Sequence, residues 1–534
     1  MTSQPRAFIT QDTGAATIAA ALVGRVAGRW RLIGSLALPV GADSEAAAAV
    51  LIERVRMADP ALATSLGLHS LQPADLPRVE VASRPPRRLA VVAGSERALE
   101  PLVAAASRSG WRTVSASPET TDPLAMSTVL LDASVDGILA GAGDPPVADE
   151  RRALGELGAL VAAAAERRPE LTVILAGGMG ERLQAFGDVT ARPAPVLLAA
   201  AARAGDEGAA LHETLLDVAL PADDSRRALG QAGLTLAEIL DRRVDIVEIG
   251  YDCGTRVGAW PAIGNGSSGL DLAVVPSAGL APADPDDAAV DRVATWSSQA
   301  GDRHRLRDRL RELRIAPWAD AAGDGVELRM AAARSALVCL AQWTPEWIER
   351  PAADLIVASG GAWAVAPGPS VVLALVDVLR RSGAGQYALD HARLLAPLGA
   401  IPDPAERRAV LTDLADDLLA PLGSVVTPAG LRPGRSVGVL HLHGPAGSSE
   451  LDLGPGGLVV VDLPPGTTAV AEFQFHDTVR LGGRGRRFVV DVTGGLGGLL
   501  VDLRDVPLHL PDRADLRAEL LEMWQASVWA SREP

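Results

Sequence analysis

Lysine is missing from all 534 positions, so each of the 50 basic side chains is an arginine. A Walker-type phosphate loop, a pyridoxal Schiff base and a lysine nucleophile each need an ammonium group, and all three are excluded. Cysteine is scarce: Cys253 and Cys339 alone give no disulfide framework, which suits a reducing compartment. No apolar run reaches the roughly 18 residues of a membrane span, and the opening MTSQPRAF has no apolar segment of the signal-peptide kind. The expectation is therefore a cytoplasmic protein with no direct membrane insertion. Positive charge is in deficit, with 66 acidic groups and a net charge of −16, which argues against nucleic acid or an anionic membrane as partner. The densest arginine run, RHRLRDRLRELR (303–314), places Leu306, Leu310 and Leu313 on one stripe and reads as a solvated amphipathic helix. No G-x-S-x-G elbow follows a strand, so a serine hydrolase of that type is not expected.

What is present is 48% hydrophobic and rich in Ala, Gly, Leu and Val, enough to bury several cores. Up to about residue 400, short apolar runs ending in Gly alternate with long Ala-rich stretches, an α/β pattern. Candidate strands are 7–11, 29–40, 88–94, 135–143, 171–178, 245–250 and 354–361. A Gly-, Ser-, Pro- and Asp-rich stretch with the Arg-rich helix, about 263–330, reads as an insertion. Residues 401–430 read as a helical connector, and 431–511 as a small all-β sandwich or barrel with turns at roughly ten-residue spacing. Residues 512–534 hold a final amphipathic helix, with Leu516, Leu520, Leu521 and Trp524 on the face expected to pack on the body.

Three glycine turns carry the functional reading: Asp12-Thr13-Gly14-Ala15-Ala16, Glu248-Ile249-Gly250-Tyr251-Asp252, and Ser359-Gly360-Gly361. Glycine is required where backbone N–H groups approach phosphate oxygens closely, and an acidic side chain is required to hold Mg²⁺ through water. Actin-like and sugar-kinase-like ATPases carry such turns, in this order, around a nucleotide held between two α/β halves. Together with VEVASRPPRRLAVVAG (79–94), VDGILAGAGDPPVADERRALGELGALVAAA (135–164), VDIVEIGYDCGTRVG (244–258) and LIVASGGAWAVAP (355–367), these turns resemble the accessory-protein family of B12-dependent glutamate (methylaspartate) mutase, the MutL or GlmL type. The resemblance covers about residues 7–400.

It implies a two-lobed actin-like, ribonuclease H-like ATPase fold over residues 1–400, followed by the β-rich domain and the C-terminal helix. The implied ligand is ATP or ADP with Mg²⁺, and the implied partner is a B12-dependent mutase or another protein complex. On this reading Asp12 and Glu248 hold Mg²⁺ and orient water, while Gly14, Gly250, Ser359, Gly360 and Gly361 line the nucleotide. The departures matter equally. The family's first turn carries Ser and Thr where this chain has Ala15 and Ala16, and its later Thr and Lys are replaced by Ile18 and Ala19. The second turn has Glu248 for Asp and Tyr251 for a second Gly, and ASRPPRR replaces a Cys-Ser-Ser-Ala-Gly-Gly-like stretch. The expected result is the ATPase shell with weakened or lost hydrolysis, a pseudo-ATPase in family terms. The alternative is an inactive actin-fold scaffold that assembles a complex through its β domain and a Trp-rich surface including Trp260, Trp318, Trp343, Trp347 and Trp363.

Other constellations have plainer readings. His441 and His443 share a strand face, with His476 on a neighbouring strand, and surface histidines are a better account than a metal site. GGRGRR (482–487) and GGLGG (494–498) read as hairpin turns. Asp136, Asp144, Asp149 and Glu150 read as helix-capping acids.

Overall fold

The computed structural model describes residues 6–69, 72–142, 148–180, 194–202, 206–264, 266–282, 285–298, 302–318, 324–345, 353–432 and 436–529. The chain divides into two compact units, one of residues 1–84, 222–272 and 278–534, the other of 85–221 and 273–277.

The first unit begins with β1 (Ala7–Thr13), β2 (Thr17–Val26), β3 (Arg29–Pro39) and β4 (Arg78–Ala82), ordered β3-β2-β1-β4. The first three form an antiparallel meander and β4 runs parallel to β1. Alternate side chains of β1 and β2 feed two cores: Phe8, Ala21 and Val23 pack with Leu229 and Leu236 of the helix Ser225–Leu240, while Ile9, Ala20 and Leu22 pack with Leu51 and Ile52 of the helix Ser44–Ala58. Burial on both faces is why Ile18–Val23 of β2 is apolar without alternation.

In the second unit, β5 (Arg88–Ala93), β6 (Arg112–Ala116), β7 (Gly137–Gly141), β8 (Thr172–Ala176) and β9 (Val196–Ala199) form an all-parallel sheet ordered β6-β5-β7-β8-β9. One face packs Val92, Ile138 and Val173 against Met126, Leu130, Leu157 and Val161; the other packs Val91, Leu139 and Ile174 against Leu99, Leu102, Leu211 and Leu215. The strands expected at 88–94, 135–143 and 171–178 thus form a sheet of their own, rather than extending β1–β4. Asp136 accepts from the Arg88 backbone N–H at 2.7 Å; Asp144 and the side chains of Asp149 and Glu150 lie outside the described residues.

The first unit continues with β10 (Val244–Ile249), β11 (Gly254–Trp260), β12 (Gly269–Val275), β13 (Leu355–Ser359), β14 (Gly383–Leu389) and β15 (Ala420–Thr427). Then come β16 (Gly438–Gly444), β17 (Gly447–Leu453), β18 (Leu458–Val461), β19 (Thr468–Leu481), β20 (Gly483–Thr493) and β21 (Leu499–Asp502). One eight-stranded sheet runs β12-β11-β10-β13-β14-β15-β21-β18, and a four-stranded antiparallel sheet runs β17-β16-β19-β20. The β-rich region is a sandwich with one borrowed layer: Leu440, Phe473 and Phe475 of the smaller sheet share a core with Val426, Leu499 and Val501 of the larger. The hairpin reading of GGRGRR holds, since Gly482 turns β19 into β20. GGLGG, expected as a hairpin turn, instead carries the chain from one sheet to the other. It is Gly-rich because a Cβ on Gly494 or Gly495 would stand within 2.3 Å of backbone atoms of Leu463, Pro464, Leu422 or Gly423.

The Arg-rich helix spans Arg303–Ile315, with Leu310 and Leu313 buried. In the final helix, Ala514–Trp529, Leu521 and Trp524 are buried, but Leu516, expected on the same face, is exposed. None of the described tryptophan side chains is exposed: Trp363 is buried and Trp260, Trp318 and Trp343 are half-buried, with Trp347 outside the described residues. A Trp-rich docking surface is therefore not formed by them; these rings serve packing.

Candidate functional site

The strand order β3-β2-β1-β4 recurs as β12-β11-β10-β13, down to the hydrogen bond that closes each first turn. Gly14 N–H donates to Thr17 O at 2.8 Å, and Gly250 N–H donates to Cys253 O at 3.0 Å. Asp12 and Glu248 occupy the same place in the two halves, two residues before the glycine and beside a parallel strand, Asp12 opposite Val81 and Glu248 opposite Ser359. Such a duplicated meander with a parallel fourth strand is the ribonuclease H-like topology. The fold is actin-like.

No protein-family model matches the chain, and no curated protein matches it. Among solved structures it is similar to the Ppx/GppA family member of Aquifex aeolicus (10% identity, TM-score 0.20, 77% of this chain and 88% of that one). It is also similar to nucleotide-free acetone carboxylase (10% identity, TM-score 0.27, 83% and 80%) and to the PilM-PilN type IV pilus biogenesis complex (14%, 0.23, 77% and 98%). At these TM-scores the likenesses carry no argument, and the fold rests on strand order.

Residues of all three glycine turns line one small cavity. Gly14, Ala15, Ala16 and Thr17 face Glu248, Gly250, Tyr251 and Gly361 around a cavity of about 30 Å³. A water molecule occupies about that much space in the liquid, whereas pockets for small organic ligands begin near 300 Å³. Two side chains fill the remainder. The Arg393 guanidinium donates to Asp12 Oδ2 from Nη2 (2.5 Å) and Nε (3.1 Å) and to Thr17 Oγ1 from Nη1 (2.7 Å). Its Nη2 lies 3.2 Å from where a Cβ on Gly14 would stand. Tyr251 covers the other side: its ring edge is 3.1 Å from a Cβ position on Gly361, and its hydroxyl donates to Pro317 O at 3.4 Å. A side-chain cation therefore neutralises the carboxylate expected to meet Mg²⁺, and a phenol ring occupies the approach to the second turn.

Ser359, expected near the nucleotide, spends its hydroxyl on Asp390 Oδ2 (3.0 Å); the same carboxylate accepts from Leu394 N–H at Oδ1 and from Leu395 N–H at Oδ2. Those bonds order the loop holding Arg393, whose φ of 55° lies in the left-handed region, a costly conformation for a non-glycine residue. Gly360, φ 98°, admits no side chain, since a Cβ there would be 2.7 Å from Ile249 O.

Glu248 is half-buried in the cavity wall, and burial pushes its carboxyl up to about 7. Its Oε2 has no hydrogen-bond partner, nor has Asp12 Oδ1. Beneath it, Arg226 forms a bidentate pair with Asp224 (2.8 and 2.6 Å) and donates to Cys253 Sγ (3.1 Å), whose thiol burial pushes up to about 11. Cys253 is therefore a neutral, unreactive thiol at neutral pH. Sequence reading missed Arg393, Asp390 and Arg226; only Arg226, two residues after the acidic cap of a helix, had a local signal. Among the described residues no group of three His, Cys, Asp or Glu is placed to hold a metal. His441 instead faces Glu450 and His443 bonds Ser448. Among the described residues no helix is long and apolar enough to cross a membrane.

Proposed function

We propose that this chain is an actin-fold accessory protein, chaperone-like in the manner of the glutamate mutase MutL type, whose nucleotide site is degenerate. The carrying observation is the Arg393–Asp12 ion pair, which sits where a nucleotide-bound cation would be needed. It favours the scaffold side of the reading: the protein works by binding a partner, with hydrolysis lost. The partner class, a B12-dependent mutase, rests on the sequence resemblance over residues 7–400. Should nucleotide bind in an opened state, Gly14, Gly250, Gly360 and Gly361 would offer backbone N–H groups, and Asp12 and Glu248 would hold Mg²⁺ once Arg393 had swung away. The bound metal nucleotide would supply phosphoanhydride chemistry.

Thermal denaturation with ATP and Mg²⁺ tests this. The wild-type chain is expected to show no shift at millimolar nucleotide, whereas a ligand at 100 times its Kd stabilises by about 2.7 kcal/mol. The double variant Arg393→Ala, Tyr251→Gly is expected to gain a nucleotide-dependent shift. Nucleotide-dependent stabilisation with ATP turnover in the wild type would overturn the degenerate site. Co-elution with a cobalamin-dependent mutase in native extract is expected, and its absence would overturn the partner class.

A further inference from the structure

At the opposite end of the strands from the glycine turns, Asp245, Ile356 and Gly383 stand near the starts of β10, β13 and β14. A cavity of about 570 Å³ opens there, a size that suits a small organic ligand. Its described walls are mostly carbon, including Trp296, Val338, Val378, Val425 and Leu508. It lies within the first unit and shares no lining residue with the closed site.

A chain of five buried charges borders it. Arg334 Nε meets Asp377 Oδ2 at 2.6 Å, Arg504 Nη1 meets Asp377 Oδ1 at 2.7 Å, Arg504 Nε meets Asp502 Oδ1 at 2.9 Å, and Arg380 Nη1 meets Asp502 Oδ2 at 3.0 Å. Each of these side chains is 6% exposed or less. Three guanidiniums against two carboxylates leave one positive charge uncompensated. Asp245 and Arg381, also on the wall, add one charge of each sign and do not change the surplus.

The surplus falls at Arg380. Its side chain is 3% exposed, it lines the cavity, and its Nε has no hydrogen-bond partner. Burial pulls its pKa down in spite of the Asp502 carboxylate, the mark of a cation short of counter-charge. Tyr387 lines the same cavity, and burial pushes its phenol up, so it remains a neutral donor.

We propose that this cavity binds a small monocarboxylate with an apolar body, its carboxylate taken by Arg380 and its hydrocarbon held against Trp296, Val378 and Leu508. Arg380 Nη1 meets Asp502 and Nη2 donates to Arg504 O (2.7 Å), so a carboxylate oxygen would accept from Nε, and its charge cancels the surplus. An amine would add to the surplus, and an alcohol would leave it uncompensated. The inference is independent of the nucleotide reading, because the two sites share no residue.

Calorimetric titration of the full chain with octanoate, 4-phenylbutyrate, 1-octanol and octylamine tests it. One of the two carboxylates is expected to bind at least about tenfold more tightly than the alcohol, with no binding of the amine, as charge-assisted hydrogen bonds are stronger than neutral ones. Arg380→Gln is expected to abolish the preference for carboxylate over alcohol. Ala384 lines the cavity yet is exposed, so Ala384→Trp is expected to remove carboxylate binding while the unliganded melting temperature stays unchanged. This second variant keeps the test open if Arg380→Gln fails to fold. Failure of both carboxylates to bind at millimolar concentration, alcohol or amine binding equal to theirs, or carboxylate binding that survives Ala384→Trp would overturn the proposal.

Discussion

Asp12 and Arg393 are 381 residues apart in sequence and 2.5 Å apart in space. The acid was legible because it precedes a glycine on a strand; the arginine had no local signal, because its role depends on a loop brought back by β14. Alanine at 15 and 16 gave half of the account, the loss of hydroxyls, but not the other half, a cation installed from elsewhere. Glu248 shows the electrostatic consequence. Its carboxyl, ordinarily near 4.5, is pushed up to about 7 by burial. Between those values the folded chain keeps a proton that the unfolded chain has released, so this residue's contribution to stability falls as pH rises through that window and levels off above it. Asp390, pushed up to about 6 from 3.8 by burial, acts with the same sign at lower pH. Glu248→Gln, which cannot ionise, is expected to flatten the decline in the urea midpoint between pH 5 and 7 and to be more stable than wild type at pH 8, by about 1–3 kcal/mol. An unchanged slope would show that Glu248 ionises in the folded state as it does in water.

The elements that escaped the sequence are those whose stability comes from neighbours. The centre of β2, TIAAALVGRV, holds three consecutive alanines of low strand preference, yet the strand pairs on both edges with β1 and β3 and is buried on both faces. Strand β15 lies in a stretch expected to be helical, 401–430, where Pro404–Asp413 does form a helix before the chain turns into the sheet. Here a close approach decides the join between the body and the β-rich region. Gly423 has φ 121°, and a Cβ on it would stand 1.9 Å from Gly498 O, where β15 and β21 run side by side. Gly423→Ala is therefore expected to force these strands apart. Hydrogen exchange should speed up at Leu499–Asp502 and Leu458–Val461 while Val244–Ile249 keeps its protection; uniform protection in the variant would mean the backbones have room to adjust. The same close packing explains GGLGG, whose glycines were visible in the sequence while their reason, backbone passing against backbone between two sheets, was not.

At the scale of the whole molecule, the alternation of strands and helices was readable to residue 400, but the sequence does not mark where one sheet ends and another begins. A parallel strand buried on both faces looks alike in any α/β layer, and only pairing separates β4 from β5. The pairing puts strands between residues 88 and 199 into a parallel sheet whose two faces are closed by helices of the same unit, Glu96–Ser107 and Asp206–Ala219 on one side and Pro123–Leu131 and Ala148–Arg167 on the other. The buried residues of both cores lie within residues 89–215, so this unit has closed cores of its own. A fragment of residues 85–221 is accordingly expected to fold alone, with mixed α/β circular dichroism and a cooperative melting transition, since a stretch with its own closed cores has what a domain requires. Calorimetry of the full chain should then resolve two transitions, one of them matching the fragment. A fragment that stays unfolded would mean that the short return segment 273–277, the one part of that unit it lacks, contributes far more than its length suggests.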